Sequence, residues 1–270
     1  MRLLAIADLH LAIPDNREAL RALPVCPEDW LIVAGDMCED STLFAEALAW
    51  LSRCFARVIW VPGNHELWLV DSETAARDSV QKYANLVDTA RRLGVVTPED
   101  AFPVWPPGGE FIVPLCTLYD YSFRPAEVAR PDVIRWAAEL SNVAADEELI
   151  NPAPLGGMAE WCEIRCAETE VRLASELPGG ARTVLANHYP LREDLISIPR
   201  IPRFTPWCGT RRTAEWHSRY RAVVAVSGHL HVRRTDWRDG TRFEEVSLGY
   251  PGQWSRAKGI SGYLREILSG

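Results

Sequence analysis

Five short runs of apolar residues recur along this chain, and each run stops at a cluster of glycine and polar residues. The runs are rich in β-branched side chains, which is typical of strands buried on both faces. They cover residues 3–7, 30–34, 58–61, 183–186 and 222–226. Helical patterns with apolar spacing of three and four lie over residues 16–23, 41–55, 72–93, 132–148 and 158–177. This alternation predicts an α/β fold.

Local signals refine this pattern. Ser41 stands directly before an apolar series with helical spacing, so we expect it to be the N-cap of the helix over 41–55. Residues 242–248 alternate as a strand does, and residues 249–252 (Gly-Tyr-Pro-Gly) predict the turn that ends it. Residues 98–157 are richer in proline and tryptophan and hold either a cap or loops and helices that cover the sheet. We expect a single domain over residues 1–270.

The polar clusters that close the apolar runs form five motifs. In chain order they read Asp8-Leu9-His10, Gly35-Asp36, Gly63-Asn64-His65-Glu66, Asn187-His188 and Gly228-His229-Leu230-His231. Five of the six histidines lie in these motifs. Strands of an open α/β sheet place their sites at their carboxyl ends, so we expect the motifs to converge. His217, the sixth histidine, lies in a polar segment and is expected at the surface.

The motifs supply a set of nitrogen and oxygen donors for metal ions. The candidate ligands are Asp8, His10, Asp36, Asn64, His188, His229 and His231. Such donors suit two ions of Mn, Fe, Zn or Co, and the carboxylate of Asp36 can bridge them. Two ions roughly 3.5–4 Å apart generate hydroxide from water and stabilise the attacking and leaving oxygens of an in-line displacement. The sequence therefore predicts metal-dependent hydrolysis of phosphate esters.

His65 has a different expected role. It follows Asn64 directly and should lie beside the metals, where it can protonate the leaving oxygen or stabilise the transition state. Glu39 is expected to hydrogen-bond His65 and set its tautomer.

The ordered motifs D-x-H, G-D, G-N-H-E, N-H and G-H-x-H resemble those of the calcineurin-like metallophosphoesterase superfamily. The resemblance spans residues 8–231 and implies a four-layer αββα sandwich with two central mixed β-sheets. The implied ligand sets are Asp8, His10, Asp36 and His231 for one metal, and Asp36, Asn64, His188 and His229 for the other. It also implies that His65 is a catalytic histidine that binds no metal.

Two departures narrow the branch of the superfamily. Position 39 is glutamate, whereas purple acid phosphatases have a ligand tyrosine there, so that branch is disfavoured. The segment after Asp36 also lacks the Arg-Gly of the Ser/Thr protein phosphatases. Glu39 replaces an acidic residue that pairs with the catalytic histidine in that second branch.

Three functions are compatible with the motifs. The first is hydrolysis of small phosphate mono- or diesters such as a nucleotide or a metabolite phosphate, with Asn64, His65 and Arg192 binding the substrate. The second is a nuclease, for which the arginines of residues 199–221 are the only basic stretch. The third is a non-catalytic interaction module, which the intact ligand set disfavours because unused buried ligands are costly.

Charge and cysteine content bear on the partner and the compartment. A net charge of −8 disfavours broad binding to nucleic acid, which needs a basic face. The sequence has seven cysteines, an odd number, and no CxxC pair. We therefore expect free thiols, which fit a reducing cytosol. Asp8 interrupts the apolar start of the chain, so we expect neither a signal peptide nor a membrane span. The protein is expected to be cytoplasmic.

Overall fold

Within the residues that the computed structural model describes (1–70, 76–153 and 155–270), nine strands form two mixed sheets. The first sheet has the order β3-β2-β1-β9. Its members are β1 (Arg2–Ile6), β2 (Cys26–Ala34), β3 (Phe55–Val61) and β9 (Arg265–Ser269). The first three run parallel, and β9 pairs antiparallel with β1.

The second sheet has five strands in the order β4-β5-β6-β8-β7. They are β4 (Phe111–Pro114), β5 (Thr183–Ala186), β6 (Ala222–Ser227), β7 (Arg234–Arg238) and β8 (Thr241–Glu245). All neighbours are parallel except β7, which pairs antiparallel with β8. A parallel bridge between Ala7 and Ser247 connects the two sheets just beyond β1 and β8.

Helices connect the strands. The α-helices are α1 (Pro14–Arg21), α2 (Ser41–Cys54), α3 (Ser79–Arg92), α4 (Val133–Ala138), α5 (Asp146–Leu149), α6 (Met158–Glu176) and α7 (Trp216–Arg219). Short 3-10 helices cover His65–Leu67, Arg130–Asp132, Glu193–Leu195, Pro202–Trp207, Arg211–Thr213 and Ile260–Tyr263. No described helix combines the length and apolar character that a membrane span requires.

The strands are apolar on both faces because each sheet is covered on both sides. In β1, Leu3 and Ala5 join an apolar cluster that includes Val184 of the second sheet, so this cluster fills the space between the sheets. Leu4 and Ile6 point the other way and join the larger cluster that contains the buried faces of α2, α3 and α6. The predicted αββα sandwich with two mixed sheets is confirmed.

The predicted strands and most predicted helices are present, with shifted ends. The first helix begins two residues early because Pro14 suits the first turn. The helix expected over 72–93 begins at Ser79, with Asp78 as its N-cap, and residues 71–75 lie outside the described part of the chain. Strands β4, β7 and β9 were not predicted.

Two sequence-based expectations about the helices are wrong. The N-cap of α2 is Asp40, whose carboxylate accepts from the backbone N–H of Leu43 (2.6 Å), and Ser41 is the first helical residue. The continuous helix expected over 132–148 is interrupted between α4 and α5, where Ser141 adopts a left-handed backbone with φ of 54°. The side chain of Asn142 there accepts from the backbone N–H of Arg203 (3.1 Å), so a tertiary contact overrides the helical pattern.

Candidate metal centre

The five motifs converge where parallel strands end. Asp8 follows β1, Asp36 follows β2, Asn64 follows β3, His188 follows β5 and His229 follows β6. Ligand atoms of two groups lie within 4.8 Å of one another, and these groups are Asp8 with His10 and His231, and Asp36 with His188 and His229. A third group of the same kind joins His10, Asp36 and His65, so the two main groups are adjacent.

The backbone at the centre is held in a sparsely populated conformation. Five of the candidate ligands have positive φ angles: Asp8 (54°), His10 (43°), Asp36 (54°), His229 (73°) and His231 (54°). Left-handed backbone costs of order 1–3 kcal/mol for such a residue and persists only where the surrounding structure enforces it. Such concentrations are typical of functional sites, where side chains must be aimed at a common point.

Two motif glycines allow the loops to approach each other. A Cβ on Gly63 would lie 2.1 Å from Oδ1 of Asp36, and a Cβ on Gly228 would lie 2.4 Å from Oδ2 of Asp8. No side chain fits at these separations. The glycines of these motifs are therefore required by the packing around the two carboxylates.

In the first group, hydrogen bonds orient the ligand atoms. His231 donates from Nδ1 to Oε1 of Gln253 (2.9 Å), which leaves its Nε2 facing Oδ1 of Asp8 (3.1 Å) and Nε2 of His10 (3.1 Å). Oδ2 of Asp8 accepts from the hydroxyl of Ser247 (2.7 Å). Gln253 and Ser247 were not singled out from the sequence, because they carry no motif and lie more than 20 residues from the ligands they contact.

The second group is oriented in the same way. His188 donates from Nδ1 to the carbonyl of Ala34 (2.9 Å), so its Nε2 faces Oδ2 of Asp36 (3.4 Å) and Oδ1 of Asn64 (3.3 Å). The amide of Asn64 donates to Oδ1 of Asp146 (2.9 Å), which turns Oδ1 of Asn64 toward the centre. Asp146 was also missed, since it lies in the segment 98–157, where no ligand pattern was visible.

These residues fit a pair of metal ions. Nε2 of His229 and Nδ1 of His10 are buried and have no hydrogen-bond partner among the described residues. Burial lowers the pKa of His229 to about 3 and that of His10 to about 4, so both imidazoles are neutral at pH 7 and offer lone pairs. Burial opposes ionisation of Asp36, but the neighbouring histidines His188, His65 and His10 together outweigh it and lower the pKa of this carboxyl well below its usual range. Imidazole nitrogens around ionised carboxylates are a donor set for divalent cations.

His65 lies beside the two groups, and its expected hydrogen bond to Glu39 is present. Nδ1 of His65 donates to Oε1 of Glu39 (2.5 Å), its ring stacks on Trp68 (3.7 Å between centroids), and its Nε2 lies 3.8 Å from Oδ2 of Asp36. Burial alone would lower the pKa of His65, but Asp36 and Glu39 outweigh it and raise the pKa to about 9. The buried ammonium of Lys82 donates to the backbone carbonyls of Glu39 (2.6 Å) and Trp68.

Glu66, the last residue of its motif, has a structural task that was not predicted. Its buried carboxylate accepts from three backbone N–H groups, those of Asp36 (2.9 Å), Met37 (2.7 Å) and Gly63 (2.8 Å). It thereby ties the loop after β2 to the loop after β3. Charge-assisted bonds of this kind are about twice as strong as neutral ones.

A cavity of about 580 Å³ opens onto the centre. Polar lining comes from Asp36, Asn64, His65, Ser197, Arg200, His229, His231, Tyr250 and Gln253, and the remaining lining residues are Ile198, Pro199, Ile201, Phe204, Leu230 and Val232. Asn64 and His65, two of the expected substrate-binding residues, thus line this cavity. Arg192 does not line the cavity, because its guanidinium pairs with Asp194 (2.8 Å).

Most arginines of the basic stretch 199–221 are also occupied. Each of four is paired with a glutamate: Arg203 with Glu139, Arg211 with Glu193, and Arg212 and Arg219 with Glu170. Arg200 is exposed at the cavity mouth and pairs with no acidic side chain in the described part of the chain. One expectation fails nearby: His217 is buried, with its Nε2 3.1 Å from Oδ2 of Asp239, because α7 packs this face against β6.

Comparison with known proteins decides the family. The model of the calcineurin-like phosphoesterases matches residues 1–233, most of the chain and all five motifs. The chain belongs to the calcineurin-like phosphoesterase family. It is accordingly a hydrolase of phosphoric ester bonds, and its His/Asp groups are able to hold the two metal ions that this family uses.

The chain is also similar to individual proteins. It is 46% identical over 268 residues to the acyl-carrier-protein phosphodiesterase PptH of Mycobacterium tuberculosis. The alignment covers 98% of this chain and 82% of that protein. The crystal structure of that phosphopantetheinyl hydrolase superposes with a TM-score of 0.93 at 44% identity, over 100% of this chain and 96% of the other. A dimetal phosphatase from Danio rerio shares the fold at 15% identity, with a TM-score of 0.50 over 92% and 87% of the chains.

Proposed function

We propose that this chain is a phosphodiesterase that removes phosphopantetheine from the serine of an acyl carrier protein. The observation that carries this proposal is the 46% identity to PptH over 98% of the chain, in a chain that retains all seven candidate ligands. A TM-score of 0.93 to that hydrolase adds support from the backbone. The activity is a diesterase activity, since phosphorus in this linkage is joined to two alcohols.

Two metal ions would divide the ligands between them. Asp8, His10 and His231 are proposed to hold one ion, Asn64, His188 and His229 the other, and Asp36 both. The nitrogen and oxygen donors favour Mn, Fe, Zn or Co. When bound, the ions would supply Lewis acidity. This would neutralise charge on the phosphoryl oxygens and lower the pKa of water, so that water would lose a proton and attack phosphorus more readily.

The chain's own residues would handle the leaving group. Glu39 holds Nδ1 of His65, so Nε2 is the atom that can present a proton to the cavity. As water oxygen bonds to phosphorus and the bond from phosphorus to the serine Oγ breaks, this proton passes to Oγ. A positioned acid of this kind contributes roughly 10²–10⁴-fold to the rate. Lys82 and Trp68 fix the pair by holding the backbone and the ring.

The alternatives receive less support from the site. A nuclease would need a basic track for the backbone, but four arginines of the segment 199–221 are paired with glutamates. An interaction module would leave buried ligand atoms such as Nε2 of His229 without a partner.

The test is a mass measurement on the carrier protein. Metal-stripped enzyme is reconstituted with Mn and incubated with a carrier protein that bears phosphopantetheine. We expect the intact mass of the carrier to fall by the phosphopantetheinyl group and free 4′-phosphopantetheine to appear. The Asp36→Asn variant serves as the control and should leave the carrier intact. If the carrier is unchanged but a bis-aryl phosphate is hydrolysed, the protein is a phosphodiesterase and the carrier protein is not its substrate.

A further inference from the structure

One side of the catalytic cavity is apolar, which metal-assisted hydrolysis alone does not require. The aliphatic wall is defined here as Ile198, Ile201, Leu230 and Val232 together with the aromatic ring of Phe204. All five residues line the cavity. Ile201 is 41% exposed and Val232 is 36% exposed. Single exposed apolar side chains are ordinary, but a group that shares one cavity with a metal centre marks a ligand-binding surface.

The aliphatic wall is preformed and is attached directly to the metal centre. The ring of Phe204 stacks on the imidazole of His229, with 5.7 Å between centroids and 26° between planes. The neighbouring Arg203 fixes this loop, because its guanidinium lies over the ring of Trp136 (4.8 Å) and pairs with Glu139 (2.5 Å). A surface held in this way loses little conformational entropy on binding.

The other side of the cavity is polar and holds the proposed proton donor. Tyr250 stacks on the imidazole of His10 (4.6 Å between centroids), and the ring of His10 lies 4.6 Å from that of His65. His65, Tyr250 and Gln253 all line the cavity. Phe204 of the aliphatic wall therefore contacts His229, whereas Tyr250 of the polar side contacts His10 and His231.

We propose that the aliphatic wall binds the pantetheine arm of the substrate, which places the leaving serine oxygen on the side of His65. This inference rests on the proposed function and adds which surface of the cavity holds the arm. The arm begins with a methylene and a carbon that carries two methyl groups, an apolar unit next to phosphorus. Phosphorus gains the water oxygen and stays on the arm, while one proton of that water passes to solvent. The bond from phosphorus to the serine oxygen breaks, and that oxygen takes the proton of His65.

Two synthetic diesters with one common leaving group test the aliphatic wall without a carrier protein. One is the p-nitrophenyl ester of 4′-phosphopantetheine, and the other is methyl p-nitrophenyl phosphate, which has no arm. The measured quantity is the ratio of kcat/KM for the first to that for the second. We expect Ile201→Ser to lower this ratio about tenfold, the range typical of losing one apolar contact in a pocket. Val232→Thr, which keeps the side-chain shape, should lower it in the same direction.

Ile164→Ser is the matched control, because Ile164 is 38% exposed on α6 and does not line the cavity. It should leave the ratio unchanged. A wild-type ratio near one, or equal losses on both diesters in Ile201→Ser, would overturn the role of the aliphatic wall. A carrier product that keeps its phosphate would refute the proposed function, in which the serine oxygen is the leaving group. A high ratio with no action on the carrier protein would also refute the proposed function and leave the aliphatic wall standing.

Discussion

The floor and the aliphatic wall of one cavity are built on opposite principles. The floor, meaning the candidate ligands and the groups that orient them, is mostly buried, is fixed by hydrogen bonds and has five residues with left-handed backbone. The aliphatic wall lies on loops and on the 3-10 helix Pro202–Trp207, and Ile201 and Val232 are partly exposed. The floor is over-determined by its surroundings, and the wall can change without disturbing it. We therefore expect changes in the floor to abolish turnover and changes in the wall to alter substrate choice.

The largest effect is expected from the floor at Asp36. Asp36→Asn removes the carboxylate that both proposed metal positions share, so we predict a loss of about 10³-fold or more in kcat for a bis-aryl phosphate. His229→Ala should behave similarly. Thermal unfolding should show that both variants remain folded. Turnover at the wild-type rate by either metal-loaded variant would remove the basis for the ligand assignment.

His65 separates binding of metal from catalysis. His65→Ala should retain both metal ions. Its kcat for the phosphopantetheinylated carrier should fall roughly 10²-fold, because the proposed donor of a proton to the serine oxygen is gone. Elemental analysis of the reconstituted variant provides the control. A variant that loses a metal ion would show that His65 is a ligand, which the group of His10, Asp36 and His65 also allows geometrically.

Lys82 tests how far the floor depends on its support. Lys82→Met leaves the buried carbonyls of Glu39 and Trp68 without their donor, at a cost of about 1–3 kcal/mol for each unsatisfied group. We predict lower thermal stability and a fall in kcat that is smaller than in His65→Ala. Lys258, the only other lysine, is exposed and provides the control Lys258→Met, which should change stability by about 1 kcal/mol or less. Equal effects of the two substitutions would argue against a supporting role for Lys82.

The smallest effect is expected at the rim. Arg200 is exposed at the cavity mouth, where a guanidinium can attract an anionic substrate through solvent. Arg200→Ala should raise KM for the phosphopantetheinylated carrier a few-fold and leave kcat nearly unchanged, with less effect at high salt. Arg211→Ala is the matched control, because Arg211 pairs with Glu193 and does not line the cavity. A large fall in kcat for Arg200→Ala would instead assign it to the chemical step.

The same contrast explains what could be predicted from the sequence. Asp8, Asp36 and His188 were recognisable because each is the second residue after the end of a strand, and parallel strands bring such positions together. The supporting groups were not recognisable. Gln253 reaches His231 and Asp146 reaches Asn64 across 22 and 82 residues, through contacts that exist only in the folded chain. Residues of the aliphatic wall carry no pattern that distinguishes them from core residues before the cavity is known.

The fold shows the same division. The five apolar runs predicted buried strands because burial on both faces requires the runs to be continuous. Strand β7 has charged residues and one exposed tryptophan, Trp237, and lies at the edge of its sheet, so it lacks such a run. The interrupted helix between α4 and α5 depends on the contact of Asn142 with Arg203, which local periodicity cannot reveal.

The most direct test of the account is the metal content of the reconstituted protein. Elemental analysis after Mn loading and removal of excess metal should give two ions per chain in the wild type, and fewer in Asp36→Asn, because one carboxylate is proposed to serve both positions. Two ions in the wild type and a reduced number in the variant would support a shared centre. One ion per chain in a fully active wild type would contradict it.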